Sequence, residues 1–243
     1  MNRILLLIFA IIGFGTITTD TYAQFYVVKD GKVLFALDNI LPDSVVFERP
    51  TNYPEAVDLD LPSGNLWASF NVGATKPEEF GYHFAWGEVE PKEEYLWSTY
   101  KWGNQNAQTK YNATDNKTTL DAEDDAATVN IGSEWSTPTL NDWKELQNNC
   151  DWNRETINGI NGYKVNKKGD ANTYIFLPTA GNYNGDEFAN DTFGFYWSAT
   201  LDLDHQYPNA AYLYGFCSSP YYSPSYNSTN RYLGFSIRAI KRK

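Results

Sequence analysis

Large aromatic side chains recur along almost the whole of this 243-residue chain, in short runs closed by Gly, Pro, Asn or Asp. Eight Trp, eighteen Tyr and fourteen Phe make up 16% of the residues. Aromatic rings suit a pleated, half-buried surface. Turn residues recurring about every ten positions leave no room for long helices. The pattern therefore predicts many short strands rather than a helical bundle. Residues 139–150 break it: Thr139 can cap a helix, Asp142 stands at the capping-box position, and Trp143, Leu146 and Cys150 fall on one face. A second, shorter helix is predicted over Thr75–Glu79, with Thr75 as cap and acidic residues in the first turn. No fixed-period repeat is present, which argues against a solenoid or propeller.

Met1-Asn2-Arg3 is followed by the apolar run Ile4–Ile12 and, after a polar stretch, by Thr21-Tyr22-Ala23. The run is too short to span a bilayer and reads as the core of a signal peptide over residues 1–23. No cysteine follows it, so a lipid-anchored form is not expected. The mature chain is expected to be exported, extracellular or at the cell surface, with the periplasm as an alternative, and to lack a membrane span. Arg3 and Asp20 cancel, so the mature chain keeps the net charge of −11. That charge repels phosphate backbones and excludes nucleic acid as an expected partner. In an oxidising compartment Cys150 and Cys217 either form a bridge, contributing about 4 kcal/mol on a chain-entropy model, or stay as two buried thiols. Spacing alone does not decide between them.

Residues 25–37, FYVVKDGKVLFAL, place Asp30-Gly31 between two apolar runs, a strong hairpin signal. A third short strand is predicted at Asp43–Phe47, and Pro50, Asn52 and Pro54 mark a linker. The chain thus reads as a signal over 1–23, a small β extension over 24–52 and a main domain over 53–243. Within that domain, residues 98–116 read as a long polar loop anchored by Tyr100, Trp102 and Tyr111. Further strands are expected at 163–165, 174–177, 195–197, 211–214 and 235–238.

The segments VDLDLPSGNLWASFNVGA (57–74), FGYHFAWGEVEPK (80–92), KTTLDAEDDAA (117–127), WSTPTLNDWKEL (135–146), NGYKV (161–165), IFLPTAG (175–181), GFYWSAT (194–200) and GFSIRAI (234–240) follow one another in order. This string resembles the Fibrobacter succinogenes major paralogous domain family of secreted and surface proteins in Bacteroidetes. That family is similar to the C-type-lectin-like fold in its formylglycine-generating-enzyme-like branch. The resemblance implies an α+β domain with two helices, a curled, loop-rich and mainly antiparallel sheet, and ends that lie close together. The chain departs from the family pattern at Ser136, where Arg is usual, and at Ala239, where Pro is usual. Formylglycine-generating enzymes use cysteine chemistry, and neither Cys150 nor Cys217 can be placed on a catalytic position. No cofactor is expected.

His83 and His205 are too few for a persuasive triad or a histidine metal site. Glu88 and Glu90 would share one face of a strand, as a glycosidase pair might, or are solvated surface charge. Asp121, Glu123, Asp124 and Asp125 offer calcium-type oxygen ligands, or carboxylates that cap backbone amides; the second reading is favoured, because Ala126 stands where an EF-hand loop needs glycine. The C-terminal region carries the strongest binding signature. Tyr207, Asn209, Ser218, Ser219, Tyr221, Tyr222, Ser223, Tyr226, Asn227, Asn230 and Arg231 combine amphipathic rings with adaptable hydrogen-bonding groups. Pro220 and Pro224 would stiffen the segment. Variable surfaces of retroelement-diversified C-type-lectin-like proteins are similar in place. The alternating Tyr212 and Tyr214 read as ordinary strand residues. The leading expectation is an exported, non-enzymatic module binding an extracellular glycan or protein. The alternatives are an accessory subunit of a surface assembly and a secreted carboxylate-dependent hydrolase.

Overall fold

Antiparallel neighbours can be joined by tight turns, whereas parallel ones need long crossovers. Every pairing between named strands in this chain is antiparallel. A computed structural model describes residues 25–29, 32–37, 53–112, 114–189, 192–202, 210–217 and 224–243. They fall into two units, Met1–Thr51 and Asn52–Lys243. In the first, β1 (Phe25–Lys29) pairs antiparallel with β2 (Lys32–Leu37), Lys29 opposite Lys32, the pairing that the hairpin signal predicts; Asp30 and Gly31 themselves lie outside the described residues. The strand predicted at Asp43–Phe47 and the signal segment lie outside the described residues.

The second unit opens with β3 (Ala56–Val57) and β4 (Leu66–Ala68), between which Pro62-Ser63-Gly64-Asn65 makes a turn. Gly64 has φ 73° and donates its N–H to the Leu61 carbonyl at 2.8 Å. The predicted helix over 75–79 does not form. Glu79 Oε2 instead accepts from the Thr75 backbone N–H (2.7 Å) and hydroxyl (2.9 Å), closing a turn that Gly81, at φ 71°, leads out of. Residues 98–116 are mostly loop, with the two-residue strands β5 (Gly103–Asn104) and β6 (Ala107–Gln108). Its three aromatic anchors are tied to carbonyl or carboxylate oxygens: Tyr100 to Trp86, Trp102 to Gly87 and Tyr111 to Asp124.

The second helix comes from a segment not predicted as one, α1 (Ala126–Ile131). Its cap is Asp125, whose carboxylate accepts from the N–H groups of Ala127 (2.9 Å) and Thr137 (2.8 Å) and from the Thr137 hydroxyl (2.6 Å). After β7 (Trp135–Ser136), α2 (Leu140–Asn149) begins at the expected capping box: the Thr139 N–H donates to Asp142 Oδ2 at 2.7 Å, and the Asp142 N–H donates back to Thr139 Oγ1 at 3.3 Å. Trp143 and Leu146, three apart, are fully buried. At Cys150 the chain passes straight into β8 (Cys150–Ile157), then β9 (Ile160–Lys167) and β10 (Tyr174–Pro178), a three-stranded sheet with β9 central. A small hairpin follows, β11 (Asn182–Asn184) with β12 (Glu187–Ala189).

The long strand β13 (Phe193–Leu201) is the spine of the unit. One edge pairs with β14 (Ala210–Cys217), which in turn pairs with β15 (Ser225–Asn230). On β13 the Trp197 N–H donates to Ser236 O, the Ala199 N–H to Pro138 O and the Leu201 N–H to Thr118 O, so three distant loops hang from one strand. The strand predicted at 235–238 is instead a set of isolated bridges from Gly234, Phe235 and Ser236. The last strand is β16 (Ile240–Lys241), paired between β4 and β7. Ile240 lies opposite Trp67, so the two ends of the unit meet. This is a mixed α+β architecture of two α-helices and several small antiparallel sheets.

Its aromatic content fills two main buried clusters. One gathers Phe84, Trp86, Tyr111, Trp135, Trp197 and Phe235. The other gathers Trp67, Trp143, Tyr163, Tyr196, Tyr214 and Phe216 beneath α2.

Candidate functional site

Several buried side chains with the chemistry of acids and bases, among them Glu88, Asp124, Asp125 and His83, hydrogen-bond to other parts of the fold. Glu88 follows a turn rather than lying on a strand, and its Oε1 accepts from Lys92 Nζ and from the Lys101 N–H, both at 2.9 Å. Glu90 is exposed, as solvated surface charge would be, whereas Glu88 is buried; neither residue belongs to a strand, so they do not share a strand face as a glycosidase pair would. Asp121, Glu123 and Asp124 do bring carboxylate oxygens together, around the ammonium of Lys110: 2.6 Å from Asp121, 3.1 Å from Glu123 and 2.6 Å from Asp124. Burial opposes the Lys110 charge, but the three carboxylates overcome it and hold its pKa above the ordinary lysine value. Asp125 points away as the α1 cap, the backbone-capping role favoured from the sequence. Cys150 is a half-buried free thiol, its pKa pushed up to about 12 by burial and by the charges of Asp151 and Glu145. The Cys217 side chain, His205, Tyr207, Asn209, Ser218, Ser219, Tyr221, Tyr222 and Ser223 lie outside the described residues.

His83 is buried, with Nε2 2.8 Å from the Ala180 carbonyl and the ring edge-on to Tyr183 and Phe188. That contact needs a proton on Nε2, since a carbonyl only accepts. Burial pushes the pKa below the usual value, and the Ala180 bond offsets this only in part. A lowered folded pKa means that acid protonates the unfolded chain first, so stability falls as the pH drops below about 6.5. We expect the urea midpoint to fall between about pH 7 and about pH 5.5, and His83→Gln to show a shallower fall. Parallel slopes for the two proteins would contradict this.

The C-terminal surface is built differently. β14 carries Tyr214 inward, where its ring stacks face to face on Trp143 of α2 at 4.7 Å with 2° between planes. β15 lies outside β14 in continuous register from Ala210 opposite Asn230 to Gly215 opposite Ser225. Tyr226 is paired with Tyr214, yet it is 48% exposed. Two α2 side chains hold this strand in place. Gln147 Nε2 donates to the Pro224 carbonyl at 2.8 Å, and Lys144 Nζ lies 4.7 Å from the centroid of the Tyr226 ring. Ser225 and Asn227 are also exposed, and Asn230 is half-buried.

Part of this C-terminal region is therefore a strand, and four of the binding residues predicted there are described. Tyr226, Asn227 and Asn230 lie together on it. Arg231 does not share their exposure: its side chain is fully buried, 5.3 Å from the Trp86 ring centroid, with Nη1 3.4 Å from Gln108 Oε1. Its role in the surface is to anchor the exit of β15 in the core. Lys144 and Gln147 were not identified from the sequence; their signal was the position directly after each buried apolar residue of α2, Trp143 and Leu146. A second exposed aromatic group was also missed, with Phe188 of β12 stacked on Phe80 at 6.2 Å and Tyr82 open to solvent. Comparison with family models, with curated proteins and with solved structures finds no match.

Proposed function

We propose that this chain is an exported, non-enzymatic binding module that presents the β15 surface to an extracellular ligand. The observation that carries this reading is the contrast between the two kinds of site. Four of the five buried carboxylates among the described residues, Glu88, Asp124, Asp125 and Asp142, and the buried His83 have structural hydrogen-bond partners. β15 instead turns hydroxyl, amide and phenol groups to solvent on a rigid aromatic base. Such a base keeps the ordering cost of binding low. A C-type-lectin-like arrangement, with the ligand surface just ahead of the last strand, agrees with two helices, small antiparallel sheets and ends that meet at β4 and β16. The family resemblance of the motif string supports the same reading.

The test is binding of the mature protein to arrays of extracellular glycans and proteins, with Tyr226→Ala/Asn227→Ala as comparison. Both residues are exposed, so stability should stay within about 0.5 kcal/mol for each substitution. Loss of the array signal with an unchanged Tm is the expected result. Full retention of binding by the double variant would remove β15 from the site.

A further inference from the structure

Resting on the reading of β15 as the ligand surface, we infer that its ligand is an uncharged, polyhydroxylated one, a neutral saccharide rather than a charged polymer or a protein. The strand reads Ser225-Tyr226-Asn227-Ser228-Thr229-Asn230, and every one of its side chains carries a hydroxyl or an amide. Within these six side chains, the single internal hydrogen bond among the described residues is local: the Ser228 N–H donates to Asn227 Oδ1 at 2.8 Å. The other hydroxyls and amides remain available to a ligand as donors and acceptors.

Charge is absent from this surface in a way that is unusual for the chain. One residue in five is Asp, Glu, Lys or Arg overall, yet none of the six residues of β15 is. The nearest charge of α2, Lys144, lies over the Tyr226 ring, and its neighbour Glu145 accepts from the Ser63 N–H and hydroxyl on the turn after β3. β15 itself carries no counter-charge for a charged ligand, and the Lys144 ammonium beside it is engaged with the Tyr226 ring. A protein partner would need an apolar, well-packed centre to its interface, and here the Tyr226 face of the strand offers one ring beside the half-buried Ser228 and Asn230. One exposed ring with the Ser228 hydroxyl and the Asn230 amide on the same strand face matches the two surfaces of a sugar. The C–H face packs on the phenol, and the hydroxyls exchange hydrogen bonds with Ser228 and Asn230. Lys144 covers part of the Tyr226 ring and fixes it, so it is ordered before the ligand arrives.

Titration calorimetry of the mature protein with neutral hexasaccharides of glucose, mannose, galactose and xylose, and with polygalacturonate as the anionic probe, tests this. At least one neutral probe should bind with an affinity that does not change between about 0.05 M and about 0.5 M salt. Tyr226→Ala should weaken that binding at least about tenfold. Binding to polygalacturonate alone, or to no neutral probe, overturns the neutral-saccharide assignment. If the array experiment still shows a ligand lost in the Tyr226 variant, the binding reading itself survives. Neutral-sugar binding that is indifferent to Tyr226→Ala overturns both.

Discussion

Trp143→Ala is expected to be among the most destabilising single substitutions in the Asn52–Lys243 unit, lowering stability by about 4 kcal/mol. The indole has no exposed surface. One face lies flat on Tyr214, its edge meets Trp67 at 4.8 Å and Tyr196 at 5.8 Å, and its Nε1–H donates to the Trp197 carbonyl at 3.4 Å. Truncation leaves a cavity that these flat rings cannot collapse to fill, since each is fixed by its own strand. For a unit of this size, the loss corresponds to a Tm lower by roughly 10 °C. A second consequence ties the core to the surface. Because Tyr214 lies opposite Tyr226, loosening the stack should speed amide hydrogen exchange along β15 more than along β9. A variant within about 1 kcal/mol of the parent, measured by urea unfolding, would mean that α2 is not clamped in this way.

What could be read from the residues follows how local the determining physics is. The α2 capping box and the hairpin signal at Asp30-Gly31 depend on neighbours within four residues, and the box and the β1–β2 pairing both stand as predicted. Thr75–Glu79 shows the limit of that locality. Its side-chain bonds form as a cap would, but no apolar face extends beyond them, so a turn results. The cap of α1 was in view as Asp125, yet two of its donors come from Thr137, on the far side of the helix, and a long-range partner leaves no local trace. β15 reads as a loop because its composition is that of loops. It is a strand because the β14 ladder supplies its hydrogen bonds. Arg231 fails as a surface residue for the same reason in reverse: nothing within a few positions announces that Trp86 and Gln108 are waiting for it.

Arg238 supplies the second large effect, and here two opposing terms must be weighed. Its guanidinium is fully buried, with Nε 2.8 Å from Asn71 Oδ1, Nη1 3.0 Å from the Ala68 carbonyl and Nη2 2.7 Å from the Phe176 carbonyl. All three acceptors are neutral oxygens. Burial accordingly draws its pKa down to about 10, which still leaves the charge in place at neutral pH. Replacing a buried charge with an apolar chain can be neutral when nothing is left unpaired. Here three oxygens from β4, β10 and the loop at Asn71 would be orphaned in a site closed to water, at about 1–3 kcal/mol each. The orphaned acceptors outweigh the relief of desolvation, and Arg238→Met should lose about 3–5 kcal/mol. Arg238→Lys should recover little of it, because one ammonium cannot reproduce a planar fork aimed at three separate segments. Urea unfolding of the two variants measures both losses. A methionine variant as stable as the parent would show that these oxygens find other donors, and that Arg238 does not tie β4 to β10.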